Sequence, residues 1–137
     1  MFLKYMSLAI IVAAIPFTSA QADDLFDIFG GGLHGKKLER AIVKAAQYPL
    51  GSEQNPVRVN MPEGQRDYLS KLRCSDEKAP VFDRAGSVGS GPFGGIMDVY
   101  VVDCSEATPG KTKVFMDMYH PNHKEDAAVQ GFIIRPE

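Results

Sequence analysis

Tryptophan is absent from this 137-residue chain, and Cys74 and Cys104 are its only cysteines. The chain contains no C-x-x-C pair, the motif of thiol–disulfide oxidoreductases. It also contains no G-x-S-x-G, so it lacks the nucleophile elbow of the α/β-hydrolases. After residue 17, no apolar run approaches the roughly 18 residues of a membrane-spanning helix. These absences argue against several common classes of enzyme and membrane protein.

A strong excess of charge of either sign is lacking as well. The chain has 15 Lys and Arg residues against 17 Asp and Glu residues, a formal net charge of −2. Nucleic-acid-binding domains usually carry a clear basic excess, so we expect no nucleic-acid partner. Lys36, Lys37, Arg40 and Lys44 give one predicted helix a basic side, which is typical of a solvated helix.

The hydrophobic residues are concentrated at the start of the chain. They make up 16 of the first 22 residues, in which Lys4 is the only charge, but only 45 of the remaining 115. A basic start, an apolar run of about 13 residues and the small sequence AQA at residues 20–22 are typical of a secretory signal peptide. An uncleaved membrane anchor is the less favoured alternative, because a spanning helix needs about 20 apolar residues.

We therefore divide the chain into a signal peptide (1–22), a flexible leader (23–35) and one α+β domain (36–137). Cleavage is predicted after Ala22, with no stable membrane insertion afterwards. The compact signal, and the lack of an N-x-S/T sequon after it, favour a periplasmic or secreted bacterial protein.

Export changes the interpretation of the two cysteines. In an oxidising compartment, an isolated pair most simply forms one disulfide, so we predict a Cys74–Cys104 bond. Two buried free thiols are the alternative.

Hydrophobic periodicity predicts two helices followed by strands. Apolar residues at helical spacing favour one helix over residues 36–47, ended by Pro49, and a second over residues 63–73, opened by Pro62. From residue 79 onward the apolar period becomes two, as expected for strands. The predicted strands cover residues 57–59, 81–88, 96–104, 113–119 and 131–135. This order predicts an α+β fold with two N-terminal helices packed on one face of an antiparallel β-meander of about four to five strands, tied by one disulfide.

Three aspartates, Asp98, Asp103 and Asp117, lie within predicted strands, where Asp is disfavoured. Alternation along the strands places Asp98 on the same face as Tyr100, and it places Asp117 on the face opposite His120.

These carboxylates lie among arginines, which opens two interpretations. His120 with Asp117 or Asp98, together with Arg84 or Arg58, has the acid, base and cation of a small nuclease-like hydrolase. Helices followed by an antiparallel sheet is also the element order of small secreted microbial ribonucleases, but the predicted strands carry no Glu. The alternative is that Asp and Arg only form ion pairs across a solvated sheet face.

Two further motifs are better explained as ordinary structural features than as binding sites. His120, His123 and Asp117 include metal-ligating side chains, but Pro121 breaks regular structure between the histidines, so we predict no metal and no cofactor. The sequence GSGPFG at residues 89–94 matches G-x-G-x-x-G. A dinucleotide site needs a helix after this motif, whereas a strand is predicted there, so we expect a hairpin loop.

Several short runs resemble small exported bacterial proteins of uncharacterised function. The resemblance extends over residues 48–134, and it implies export and a single compact unit without implying an activity, a ligand or a catalytic residue. The runs are YPLGS at 48–52, NPVRV at 55–59, GSVG at 86–89, DVY at 98–100 and DMYHP at 117–121.

The sequence therefore favours a small exported, non-enzymatic binding or interaction module of the cell envelope, with an envelope protein as its partner. Tyr100, Tyr119 and His120 are the predicted contact residues, because aromatic side chains beside charges on a rigid sheet are typical of interfaces. The small secreted hydrolase that uses His120 with Asp117 or Asp98 is the alternative.

Overall fold

Two helices and six strands make up the part of the chain that the computed structural model describes, residues 31–136. The predicted signal peptide, and the predicted leader up to residue 30, lie outside the described residues. The helices are α1 (Gly35–Ala45) and α2 (Met61–Lys71). The strands are β1 (Val57–Arg58), β2 (Leu72–Arg73), β3 (Val81–Ser90), β4 (Ile96–Asp103), β5 (Lys111–Asp117) and β6 (Ile133–Ile134).

The main sheet has four strands in the order β1-β5-β4-β3, and β2 pairs with β6 in a separate two-stranded sheet. The antiparallel pairing of β3 with β4 and of β4 with β5 confirms the predicted meander. The prediction of a purely antiparallel sheet is wrong, because β1 pairs with β5 in parallel, with Arg58 opposite Asp117. Alternation of apolar residues does not reveal strand direction, since parallel and antiparallel strands share the period of two.

The α+β class is confirmed, but the helices are not simply N-terminal. β1 lies between them, and α1 begins at Gly35, inside the predicted leader. Just before α1, the backbone N–H of Leu33 donates a 2.6 Å hydrogen bond to the carbonyl of Phe93, which ties this segment to the β3–β4 hairpin. α2 ends at Lys71, because Leu72 takes an extended backbone conformation (ψ 145°) and begins β2.

The hydrophobic core lies between α2 and one face of the main sheet. Tyr68, Leu69 and Leu72 project from the α2 segment at helical spacing and are buried there. The sheet contributes inward-facing residues of β1, β4 and β5, which include Val57, Tyr100, Val102, Val114 and Met116.

The two helices do not share one face of the sheet. α1 lies beside Met97, with which it lines a cavity. Met97 points away from the face that carries Asp98 and Tyr100, because successive residues of a strand project to opposite sides. The prediction that both helices pack on one face is therefore wrong.

A disulfide joins Cys74 to Cys104, as predicted, with the two Cα atoms 5.8 Å apart. It connects the residue after β2 to the residue after β4, so it ties the small sheet to the main sheet. Within residues 31–136, no helix has the length and apolarity needed to cross a bilayer.

Candidate functional site

Asp98, the first candidate carboxylate, is held in a hydrogen-bond network beside the core. Its Oδ1 accepts hydrogen bonds from Arg84 Nη2 at 2.8 Å and from Ser87 Oγ at 3.0 Å, and its Oδ2 accepts one from Gln65 Nε2 at 3.1 Å. Burial raises the pKa of Asp98, but the hydrogen bonds from these three side chains more than offset it, so the net pKa is lowered. The charged form of Asp98 is thus stabilised by Arg84, Ser87 and Gln65, as expected if Asp and Arg form ion pairs on the sheet.

Tyr100, one of the predicted contact residues, belongs to the same network. Its hydroxyl donates a 3.0 Å hydrogen bond to Gln65 Oε1, and only 5% of the residue is exposed. Burial raises the pKa of Tyr100, and the nearby charge of Asp98 raises it further. Because α2 covers Tyr100, its side chain is not available at a contact surface.

Gln65 links these residues, and the sequence interpretation missed it. It is 1% exposed, and its amide bridges Asp98 and Tyr100. Gln65 precedes Tyr68, Leu69 and Leu72 by three, four and seven residues. This helical spacing already places a polar amide on the buried face of α2, where it must find hydrogen-bond partners.

Asp117 and His120, the second candidate pair, lie close together on the opposite side of the sheet. His120 Nε2 is 3.4 Å from Asp117 Oδ1, and the backbone N–H of Tyr119 donates to the same oxygen at 3.0 Å. The prediction that His120 faces away from Asp117 is wrong, because β5 ends at Asp117 and the strand alternation stops there. Tyr119, the remaining predicted contact residue, is partly buried and forms an isolated bridge with Asn60.

The Asp117–His120 pair is enclosed by its neighbours. Asp117 is fully buried and His120 is 6% exposed. The His120 ring packs edge-on against Phe93, with centroids 5.5 Å apart, and the guanidinium of Arg58 lies 5.8 Å from the centre of the same Phe93 ring. A side chain at Gly95 would place its Cβ 2.7 Å from both carboxylate oxygens of Asp117. The backbone of Gly95 therefore packs directly against the Asp117 carboxylate.

Arg58 contributes the positive charge at this site. Burial lowers its pKa, and the negative charges of Glu125 and Asp117 oppose that effect. Asp117 Oδ2 and His120 Nε2 make no hydrogen bond to any described residue. The charge of partly buried Arg58 thus compensates that of fully buried Asp117, although the hydrogen bonding is incomplete.

The structure does not bring all of the candidate catalytic residues together. Asp98 and Arg84 lie on the α2 side of the sheet, whereas Asp117 and His120 lie on the other side. His123 bonds instead to Glu125, with Nε2 3.1 Å from Oε2. Among residues 31–136, no three His, Cys, Asp or Glu side chains are placed to hold a metal ion.

An open cavity of about 570 Å³, which we call the α1 cavity, lies elsewhere, between α1, the turn after it and the β3–β4 hairpin. Cavities of this size accommodate small organic ligands. Sequence reasoning missed it, although Ala41 and Ala45 on the apolar face of α1 are small residues four apart that leave room beside the helix. Its lining residues are Ala41, Lys44, Ala45, Tyr48, Glu53, Gln54, Ser90, Gly91, Pro92 and Met97.

The segment GSGPFG forms part of this hairpin, as predicted, and a strand follows it. The N–H of Gly91 donates to the carbonyl of Gly95 at 2.9 Å, which closes the loop.

Comparison of the chain with protein-family models, with curated proteins and with solved structures finds no match.

Proposed function

We propose that this protein is a small exported binding module of the cell envelope with no catalytic activity of its own. One contrast within the described chain carries the proposal. The only predicted acid–base residues that come together, Asp117 and His120, are enclosed by protein, while the α1 cavity is open and lined by other residues.

The chemistry of a general base explains why enclosure matters. A base must come within hydrogen-bond distance of the proton that it removes. His120 Nε2 lies against Asp117, and Phe93 covers the ring edge-on. This nitrogen is buried, so a substrate could reach it only if the residues around it moved. The short Asp117–His120 distance favours the hydrolase as the second candidate, so it must be tested.

Two observations support export. The chain begins with a sequence typical of a signal peptide, and its described part contains a disulfide. Disulfides persist in the periplasm and outside the cell, whereas cytosolic reductants keep thiols reduced. A binding module in the envelope would therefore be stable in its oxidised form.

The test compares the wild-type protein with His120→Asn, which preserves most of the side-chain volume. Both proteins are isolated from the envelope fraction, where mass analysis is expected to show Asp23 as the first residue. They are then assayed on RNA, ester and peptide substrates. We expect no turnover from either protein, and we expect both to bind the same envelope components.

Turnover by the wild-type protein that His120→Asn abolishes, with circular dichroism showing a folded variant, would contradict the proposal and establish the hydrolase. His123→Asn is the matched control, because His123 bonds to Glu125 rather than to Asp117. Retention of Met1 on a cytoplasmic protein would contradict export.

A further inference from the structure

We propose that the α1 cavity binds a small zwitterion with an apolar side chain, of the α-amino-acid class. This inference rests on the proposed binding function and gives it a site and a ligand chemistry. The cavity shares no lining residue with the Asp98 network or with the Asp117–His120 pair.

The inner wall of the α1 cavity is apolar. Ala41 and Ala45 from α1 face Pro92 and Met97 from the hairpin, and Ala45 and Met97 are each 2% exposed. A wall made of methyl groups, a proline ring and a thioether has no polar group that could satisfy a buried polar ligand atom. The part of the ligand that lies here must therefore be apolar.

The same cavity carries one charge of each sign. Lys44 comes from the last turn of α1, and Glu53 comes from the turn that follows. Neither side chain forms an ion pair with another described residue. A ligand with a carboxylate and an ammonium group would match both charges. A purely anionic ligand would be repelled by Glu53, and a purely cationic ligand would be repelled by Lys44.

The walls that carry these groups are fixed by local contacts. Asn55 Nδ2 donates to the carbonyl of Tyr48 at 2.9 Å, and the Asn55 N–H donates to the carbonyl of Ser52 at 3.1 Å, which closes the turn containing Glu53. On the hairpin side, a side chain at Gly91 would overlap the thioether of Met97, so glycine lets the loop backbone lie directly against the apolar wall. The backbone of the site is therefore held in place, and the conformational entropy lost on binding comes mainly from the exposed side chains of Lys44 and Glu53.

The experiment titrates the purified wild-type protein with four compounds and follows amide chemical shifts by NMR. L-leucine and the dipeptide leucyl-leucine carry both charges, and they distinguish a free amino acid from a short peptide as the source of this chemistry. N-acetyl-L-leucine lacks the ammonium group, and L-leucinamide lacks the carboxylate. We expect at least one zwitterion to bind, with shifts in α1 and the hairpin, and each singly charged compound to bind about tenfold more weakly.

Two variants test which side chain binds which charged group of the ligand. Lys44→Gln is expected to weaken zwitterion binding about tenfold. It is expected to strengthen the binding of L-leucinamide, because the variant removes a positive charge that repels this cation. Glu53→Gln is likewise expected to weaken zwitterion binding, and to strengthen the binding of N-acetyl-L-leucine, because the variant removes a negative charge that repels this anion. Lys78→Gln removes an exposed lysine that does not line the cavity, and it is expected to leave every affinity unchanged.

Equal binding of the zwitterions and the singly charged compounds would overturn the assigned ligand class, yet it would still support a binding function. Failure of all four compounds to shift the α1 and hairpin amides would overturn the inference. In that case the turnover experiment with His120→Asn still decides the proposed function, because it does not depend on the α1 cavity.

Discussion

Asp98 shows how one buried carboxylate can be stabilised in its charged form. Three different side chains donate hydrogen bonds to its two oxygens, and they come from α2 and β3. An anion that is removed from water needs such partners, because nothing else compensates for the unfavourable free energy of its desolvation. Asp98 therefore links α2 to the edge of the sheet through hydrogen bonds.

This arrangement predicts how stability depends on pH. Because the folded-state pKa of Asp98 is lowered, its ionisation stabilises the fold above the ordinary aspartate pKa, and this stabilisation is lost as the pH falls through the folded-state value. We expect Asp98→Asn to lower the free energy of unfolding by about 1–3 kcal/mol at neutral pH and to flatten its acid dependence. Urea unfolding at a series of pH values measures both effects.

Asp126→Asn is the control for this measurement, since Asp126 is exposed. If Asp98→Asn and Asp126→Asn gave the same acid dependence as the wild type, the role assigned to the Asp98 network would be wrong.

At the scale of the elements, Tyr68 links α2 to the segment that contains Ala127 and Val129. The Tyr68 hydroxyl donates to the carbonyl of Ala127 at 2.9 Å and accepts from the N–H of Val129 at 3.0 Å. Val129 is itself buried in the core. A single phenol thus satisfies two backbone groups of a segment without regular secondary structure and fixes that segment against α2.

We predict that removal of this hydroxyl measurably lowers the stability of the fold. Tyr68→Phe leaves the buried N–H of Val129 without its partner, so we expect the free energy of unfolding to fall by about 1–3 kcal/mol at neutral pH. Burial raises the pKa of Tyr68 well above its ordinary value, partly offset by the hydrogen bond from Val129. Neutral Tyr68 therefore stabilises the fold fully below the unfolded-state tyrosine pKa of about 10, and this stabilisation declines as the pH rises further.

An alkaline titration followed by phenolate absorbance checks this prediction. One late-titrating group should disappear in Tyr68→Phe. A titration of Tyr68→Phe that retained every late-titrating group would contradict the assignment.

For the whole molecule, the Cys74–Cys104 bond connects the two sheets across a sequence separation of 30. In the chain-entropy model, a loop of this size stabilises the folded state by about 3–4 kcal/mol. We expect the double variant Cys74→Ser, Cys104→Ser to lose about this free energy of unfolding, as measured by urea titration.

Treatment of the wild type with reductant should reproduce this loss and should leave the double variant unchanged. A wild-type protein that was equally stable in its oxidised and reduced forms would show that the disulfide does not contribute.

The local features of the fold were predictable because they depend on neighbours in the sequence. Helical spacing of apolar residues located α1 and α2, and alternation located the three strands of the meander. The candidate site was harder to predict from the sequence. Alternation placed Asp98 beside Tyr100 correctly, but it failed for His120, because nothing in the residue pattern marks the end of β5 at Asp117.

The sequence by itself determined the α+β class, the meander and the disulfide, since each follows from short-range periodicity or from the only two cysteines. Only the tertiary structure decided that β1 runs parallel to β5, that Asp117 and His120 are enclosed, and that an open cavity lies beside α1. These features depend on contacts between residues far apart in the chain. Packing free energy selects those contacts, and one-dimensional residue patterns do not encode them.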